Sequence, residues 1–207
     1  TETVYGLGAN AMDPHAVAKI FAAKQRPADN PLIVHIHHQD QLKDLVIDYN
    51  QEVEQLMEAF WPGPLSFILP RSPNVPKIVT GGLDSVAIRM PQHQLALDLL
   101  KMTNLPIAAP SANISGRPSP TTGQHVLKDM AGRIDAVIDA GPATLGVEST
   151  VLDLTAAVPV ILRPGGVTYE CLQALLGNVV IDPVLRGTQK GAPQAPGLKY
   201  KHYAPEG

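Results

Sequence analysis

Two cations flank a glutamine in Lys24-Gln25-Arg26-Pro27-Ala28-Asp29-Asn30-Pro31. Prolines stiffen this stretch, and it falls where a helix pattern gives way to a strand pattern, so both charges would be presented toward one place. Lysine meets phosphate as a point charge and arginine as a planar fork. Each such bond contributes about 1.5–3 kcal/mol when it is desolvated. The same residues also suit a cationic helix C-terminus that complements the backbone dipole, and on this stretch alone that second reading is the stronger.

A second cluster runs Ala109-Pro110-Ser111-Ala112-Asn113-Ile114-Ser115-Gly116-Arg117-Pro118-Ser119-Pro120. It offers hydroxyl and amide donors to phosphate oxygens and a ribose. It is equally readable as a Ser/Pro turn region. Glu148 and Ser149 lead into an apolar strand, and Arg163 stands at a strand end beside Gly165-Gly166. Arg89 lies inside the apolar run Val86–Met90, where an arginine needs an anionic partner, either a structural carboxylate or that of a ligand. His35, in another apolar run, reads first as a structural core histidine. The chain has no GxxxxGK[ST] phosphate loop, no CxxC or HExxH spacing and no GxSxG elbow. A magnesium ion would therefore find no protein-made cage of these kinds.

The elements that must position these residues follow from capping and periodicity. Asp13-Pro14 starts a helix, with Val17, Ile20, Phe21 and Lys24 at helical spacing, and Pro27 ends it. Residues 31–36 form a buried strand, and helices follow at 39–47 and 51–61. Trp61-Pro62-Gly63-Pro64 forces a turn. Strands are expected at 65–69, 86–90, 106–109, 136–139, 147–154, 160–162 and 179–181. Helices are expected at 94–102, with Leu95, Leu99 and Met102 inward, and at 123–131 and 168–176. This alternation indicates an α/β or α+β domain with a mixed sheet. From Asp182 onward the apolar periodicity stops, and residues 183–207 read as an extended linker after a domain spanning 1–182.

The chain has 207 residues, enough to bury roughly 70% of its unfolded surface in one core. A net charge of -3 gives no overall basic field to recruit nucleic acid. A local basic cleft still leaves room for weak binding of double-stranded RNA. The single cysteine, Cys171, cannot form an internal disulfide, and a reducing, cytoplasmic setting is the simplest reading. No apolar run reaches membrane-spanning length.

Taken in order, the motifs resemble the YrdC-type threonylcarbamoyl-AMP synthase family. Thr1-Glu2-Thr3-Val4-Tyr5-Gly6-Leu7-Gly8, Lys24-x-Arg26-Pro27, Asn30-Pro31-Leu32, Trp61-Pro62-Gly63-Pro64-Leu65 and Arg89-Met90-Pro91 carry the first half of the resemblance. Ala109-Pro110-Ser111-Ala112-Asn113, Gly146-Val147-Glu148-Ser149-Thr150 and Leu162-Arg163-Pro164-Gly165 carry the second. The tail from Ala195 to Pro205 resembles the linker of long, two-domain members. The family's usual first strand and helix would precede Thr1.

The resemblance implies a twisted mixed α/β sheet around a deep cationic cleft. It implies formation of threonylcarbamoyl-AMP from L-threonine, bicarbonate and ATP, with Mg²⁺ carried by ATP. A partner enzyme would then transfer the threonylcarbamoyl group to tRNA. By motif position, Thr1, Tyr5, His35, Arg89, Ala109 and Ser149 would form the threonine pocket. Lys24, Arg26, Asn30, Ser85, Ser111, Asn113, Ser119 and Arg163 would hold ATP, Lys24 and Arg26 serving catalysis, and Tyr200 would close over the nucleotide. The rival within the same fold is the carbamoyltransferase domain of hydrogenase-maturation proteins, and the tail argues against it.

Overall fold

The computed structural model describes residues 1–185; the expected linker and Tyr200 lie outside the described residues. In chain order the elements are β1 (Ala9–Asn10), α1 (Pro14–Lys24), β2 (Ile33–His35), a 3-10 turn (Gln39–Gln41) and α2 (Leu42–Leu45). Next come α3 (Gln51–Phe60), β3 (Leu65–Pro70), β4 (Ser85–Arg89), α4 (Gln94–Thr103), β5 (Ile107–Ala108) and α5 (Gly123–Met130). The chain continues through β6 (Thr150–Asp153), β7 (Val160–Arg163), α6 (Tyr169–Leu176) and β8 (Val180–Ile181).

The eight strands form one mixed sheet in the order β1-β5-β2-β4-β3-β6-β7-β8. Pairs β2·β4, β3·β6 and β7·β8 are parallel, and the others are antiparallel. These directions gather the C-terminal ends of β2, β4 and β7 and the N-terminal ends of β3 and β6 at one rim of the sheet. His35 is in register with Arg89, and Leu65 with Thr150. The β3·β4 register pairs Phe67 with Ile88, and one further step brings Ser66 opposite Arg89.

Alternation along the strands then sorts the two faces. Val34, Phe67, Leu69, Val86, Ile88 and Leu152 belong to the main core. Ile33, Ile68, Ala87 and Val151 form a smaller cluster on the opposite face. Counting two residues along each strand from that smaller cluster gives His35, Ser66, Arg89 and Ser149. The smaller core therefore ends in a row of polar side chains at the rim.

Helix α1 begins as its residues dictate. Asp13 Oδ1 accepts from the backbone N–H groups of His15 at 2.8 Å and Ala16 at 3.2 Å, and Pro14 is the first helical residue. Val17, Ile20, Phe21 and Lys24 share the buried stripe, so the lysine is carried inward by the helical repeat itself. Gln25 then takes a left-handed conformation, φ 52°, which ends the helix and turns Arg26 away from that stripe.

Several expected elements differ. Residues 136–139 are not a strand. This segment does not pair with the edge strands β1 or β8 and is tied to Tyr5, whose hydroxyl lies 2.9 Å from Asp139 Oδ1 and 2.5 Å from the Gly141 carbonyl. On α4, Leu95 and Leu99 line a cavity and Met102 is 86% exposed. Leu97 and Leu100 make the core contacts. A leucine-rich helix offers two apolar stripes, and only burial chooses between them. The strand expected at 147–154 shortens to β6, because Gly146 has φ 70° and Val147 is exposed. The helix expected at 39–47 divides into the 3-10 turn and α2, and the two-residue β1 was not anticipated.

Candidate functional site

A cavity of about 990 Å³ opens at the polar rim of the sheet. Thr1, Tyr5, His35, Arg89, Ala109 and Ser149 all line it, as do Arg26, Ser111 and Arg163. Among the lining residues five cations (Lys19, Arg26, Arg89, Arg133, Arg163) face two carboxylates (Asp135, Glu148), so the cavity is electropositive in a chain that is not.

Arg89 sits in its floor, 3% exposed. Its Nε donates to the Gly63 carbonyl at 2.9 Å, one Nη to Thr3 Oγ1 at 2.9 Å, and the other to Glu2 Oε1 at 2.5 Å. Three of its five donors are thus taken by described residues, which leaves two. Burial pulls the guanidinium's pKa down and Glu2 pushes it back up. Glu2 Oε1 also accepts from the Gln92 N–H at 3.1 Å, while Oε2 is buried with no partner among the described residues. Thr3 Oγ1, accepting from Arg89, lies 2.9 Å from Thr1 Oγ1, which in turn donates to the Val4 carbonyl at 2.9 Å.

His35 is neutral here. Burial, and after it the Arg89 charge, lowers its pKa to about 3. Its Nδ1 lies 3.3 Å from the Ile33 carbonyl. The Ile107 carbonyl also acts on the ring, in the direction that favours protonation.

Lys24 does not line the cavity. Its Nζ donates to the carbonyls of Ser111 and, at 2.7 Å, Asn113, and it lies 3.5 Å from Asn113 Oδ1. It clamps the far side of the loop whose near side is Ser111. Burial, reinforced by Arg26, brings its pKa down to about 7. Asn113 is buried too, its amide donating to the Ile114 carbonyl at 2.9 Å and the Arg117 carbonyl at 2.7 Å. Arg26 donates to the carbonyls of Asn30 at 3.2 Å and Pro31 at 3.3 Å. The Asn30 side chain is buried, with Oδ1 unpartnered, and does not reach the cavity lining.

Arg163 pairs with Glu148 at 2.7 Å and donates to the Ser149 carbonyl and hydroxyl at 2.9 and 3.1 Å. Ser119 donates to Glu148 at 2.8 Å, behind the wall. A Cβ on Gly165 would stand 2.3 Å from the Glu148 carbonyl oxygen and 2.4 Å from the Thr150 nitrogen. Only glycine lets the chain after β7 press against residues 148–150. Ser85 is at the other end of β4 from Arg89, about 13 Å away at 3.3 Å per residue, and is not part of the lining.

Glu2 and Thr3 are structural members of the site that no single motif assigns. The apolar environment of Arg89 signalled that a carboxylate partner was needed, without saying which. Among the described residues no three His, Cys, Asp or Glu side chains cluster as a metal cage requires, and no helix is long and apolar enough to cross a membrane.

Comparison with known proteins gives a consistent match. The Sua5/YciO/YrdC family model, which carries the description telomere recombination, matches residues 1–165. A threonylcarbamoyl-AMP synthase of Pyrococcus abyssi is 55% identical over 99% of the chain and 60% of its own length. One of Bacillus subtilis is 54% identical over 99% of the chain and 59% of its own length. The crystal structure of P. abyssi Sua5 complexed with L-threonine superposes with a TM-score of 0.96, covering 99% of this chain and 60% of that one at 55% identity. The chain thus spans about three-fifths of the length of these relatives.

Removing Glu2 should leave a buried, uncompensated guanidinium. Glu2→Ala is expected to lower stability by about 3–5 kcal/mol in urea denaturation, and Glu2→Gln by less, because an amide oxygen still accepts from Arg89. A Glu2→Ala variant as stable as the unsubstituted protein would contradict the buried pairing.

Proposed function

The chain belongs to the Sua5/YciO/YrdC family, and from that membership and the polarity of the cavity we propose that it is an L-threonylcarbamoyladenylate synthase. The reaction takes L-threonine, bicarbonate and ATP to threonylcarbamoyl-AMP, pyrophosphate and water. Residues 1–182 form the catalytic domain. The observation that carries the reading is the meeting of Thr1, Tyr5, His35, Arg89, Ala109 and Ser149, from widely separated parts of the chain, in one electropositive cavity with Arg26, Ser111 and Arg163.

The threonine carboxylate lies against the two open donors of Arg89 and the hydroxyl of Ser149. The amine faces the neutral ring of His35. The amine captures carbon dioxide derived from bicarbonate, giving an N-carboxylate. An oxygen of that group attacks the α-phosphorus of ATP, and pyrophosphate leaves. Such a step needs alignment and charge stabilisation more than a side-chain nucleophile, which suits a site of arginines, serines and a neutral histidine.

Arg26, Ser111 and Arg163 hold the phosphates. Lys24 and Asn113 act chiefly through the Ser111 loop, and Ser119 through Glu148 and Arg163. Asn30 contributes by fixing Arg26. Ser85, far along β4, touches ATP only if the nucleotide extends beyond the cavity. Mg²⁺ enters on the triphosphate, since the described side chains offer it no cage of their own. The product passes to a partner that acts on tRNA, and this chain's own contact with RNA is weak. The lone cysteine supports a cytoplasmic setting.

The full chain should catalyse ATP–pyrophosphate exchange only with both threonine and bicarbonate present. Exchange that ignores threonine would remove the proposed substrate.

A pH dependence follows from Lys24. With a pKa of about 7 in the free protein, it is mostly uncharged at pH 8.5 and mostly charged at pH 6.5. Phosphate nearby favours the ammonium, so binding draws in a proton at the higher pH. ATP affinity should therefore fall on the order of 10-fold from pH 6.5 to 8.5, and Lys24→Met should flatten that fall in calorimetric titrations. An unchanged slope in Lys24→Met would place the titration elsewhere.

A further inference from the structure

Ser66 lies on β3, wholly buried, one strand away from the Ser149 that lines the cavity. The two hydroxyl oxygens are 2.8 Å apart. Either could donate to the other on distance alone, but their surroundings decide the direction. Among the described residues Ser66 Oγ has no other partner. If Ser149 donated to Ser66, the Ser66 proton would be left with no acceptor in a dry site, an arrangement native interiors avoid. If Ser66 donates to Ser149, its single proton is satisfied. Ser149 Oγ then accepts twice, from Ser66 and from Arg163 at 3.1 Å. Both lone pairs of Ser149 are thereby used, and its own proton can only point away from the protein, into the cavity.

We propose that Ser66 is a positioning residue that fixes the Ser149 hydroxyl as a donor into the cavity, toward the carboxylate of the amino-acid substrate. The substrate part of this inference rests on the function proposed above. The class of acceptor follows from the neighbours. Arg163 holds Ser149, and Arg89 is close enough for the charge of Arg163 to act on it, so the ligand atom that meets this hydroxyl sits in a positive field. The register that places Ser66 opposite Arg89 gives the same strand pair a role in both carboxylate contacts. A hydroxyl free to rotate would serve donor and acceptor ligands alike, whereas one locked by two incoming bonds selects an acceptor.

The test is a thermodynamic cycle on threonine binding to the full chain, measured by calorimetry for the unsubstituted protein, Ser66→Ala, Ser149→Ala and the double variant. Ser66→Ala should weaken threonine about 3- to 10-fold, the range of one hydrogen bond, while ATP affinity is unchanged. Ser66→Thr, which keeps the hydroxyl, should restore threonine affinity. The double variant should bind no more weakly than Ser149→Ala alone, because Ser66 acts only through Ser149. If Ser66→Ala does not fold, Ser66→Cys, a weaker donor of similar size, takes its place with the same expected loss. Unaltered threonine affinity in Ser66→Ala, losses that add in the double variant, or an equal loss of ATP affinity would each overturn the positioning role. Failure of the unsubstituted protein to bind threonine would instead overturn the function reading, and with it the carboxylate assignment.

Discussion

A guanidinium in the middle of a sheet, almost without exposure to water, has to be neutralised and hydrogen-bonded by the protein that buries it. Glu2 and Thr3 do this for Arg89, together with the Gly63 carbonyl. Much of the architecture around the cavity is organised by that requirement. The segment 1–5 is held across the rim of the sheet, with Tyr5 N–H bonded to the Pro120 carbonyl and the Glu2 carbonyl accepting from Leu145. The turn after α3 is drawn under the arginine, where Gly63 N–H also bonds the Met90 carbonyl. A charge buried in this way contributes little net stability.

Topology explains why residues so far apart in sequence meet. Parallel pairing of β2 with β4 and of β3 with β6, joined by an antiparallel β3·β4 contact, sends polar strand ends to one rim. The two-residue period of a strand puts His35, Ser66, Arg89 and Ser149 on the same face as the small apolar cluster of Ile33, Ile68, Ala87 and Val151. The opposite face carries the main core and needs no polar group. Two loops complete the wall. One is pinned from behind by the buried Lys24, and the other is brought close by Gly165, whose missing side chain leaves room for the backbone of 148–150.

The sequence was informative where a residue's local chemistry decides its place. Asp13-Pro14 specifies the start of α1, Trp61-Pro62-Gly63-Pro64 specifies a turn, and Thr1, Tyr5, His35, Arg89, Ala109 and Ser149, grouped by motif order, line one cavity. It was less informative where long-range packing decides. Lys24 shares the helical stripe of Val17 and Phe21, so its burial was visible, but its carbonyl partners 87 and 89 residues away were not. Val137 and Ile138 have strand-forming side chains, yet their segment is held by Tyr5 and is not paired to the sheet. Leu95 and Leu99 compete with Leu97 and Leu100 for the core and lose. Ser66 carries no signal in its own neighbourhood, because its significance depends on a hydroxyl delivered by a different strand.

Under the proposed function one cavity holds an amino acid by its carboxylate at Arg89 and a triphosphate by the Arg26, Ser111 and Arg163 wall. The decisive measurement is a crystal structure of the full chain with L-threonine and a non-hydrolysable ATP analogue. The threonine carboxylate is expected within hydrogen-bonding distance of Arg89 and Ser149, with the phosphates in the same cavity beside Arg26 and Ser111. Threonine bound away from Arg89, or a nucleotide occupying a separate face of the molecule, would contradict it.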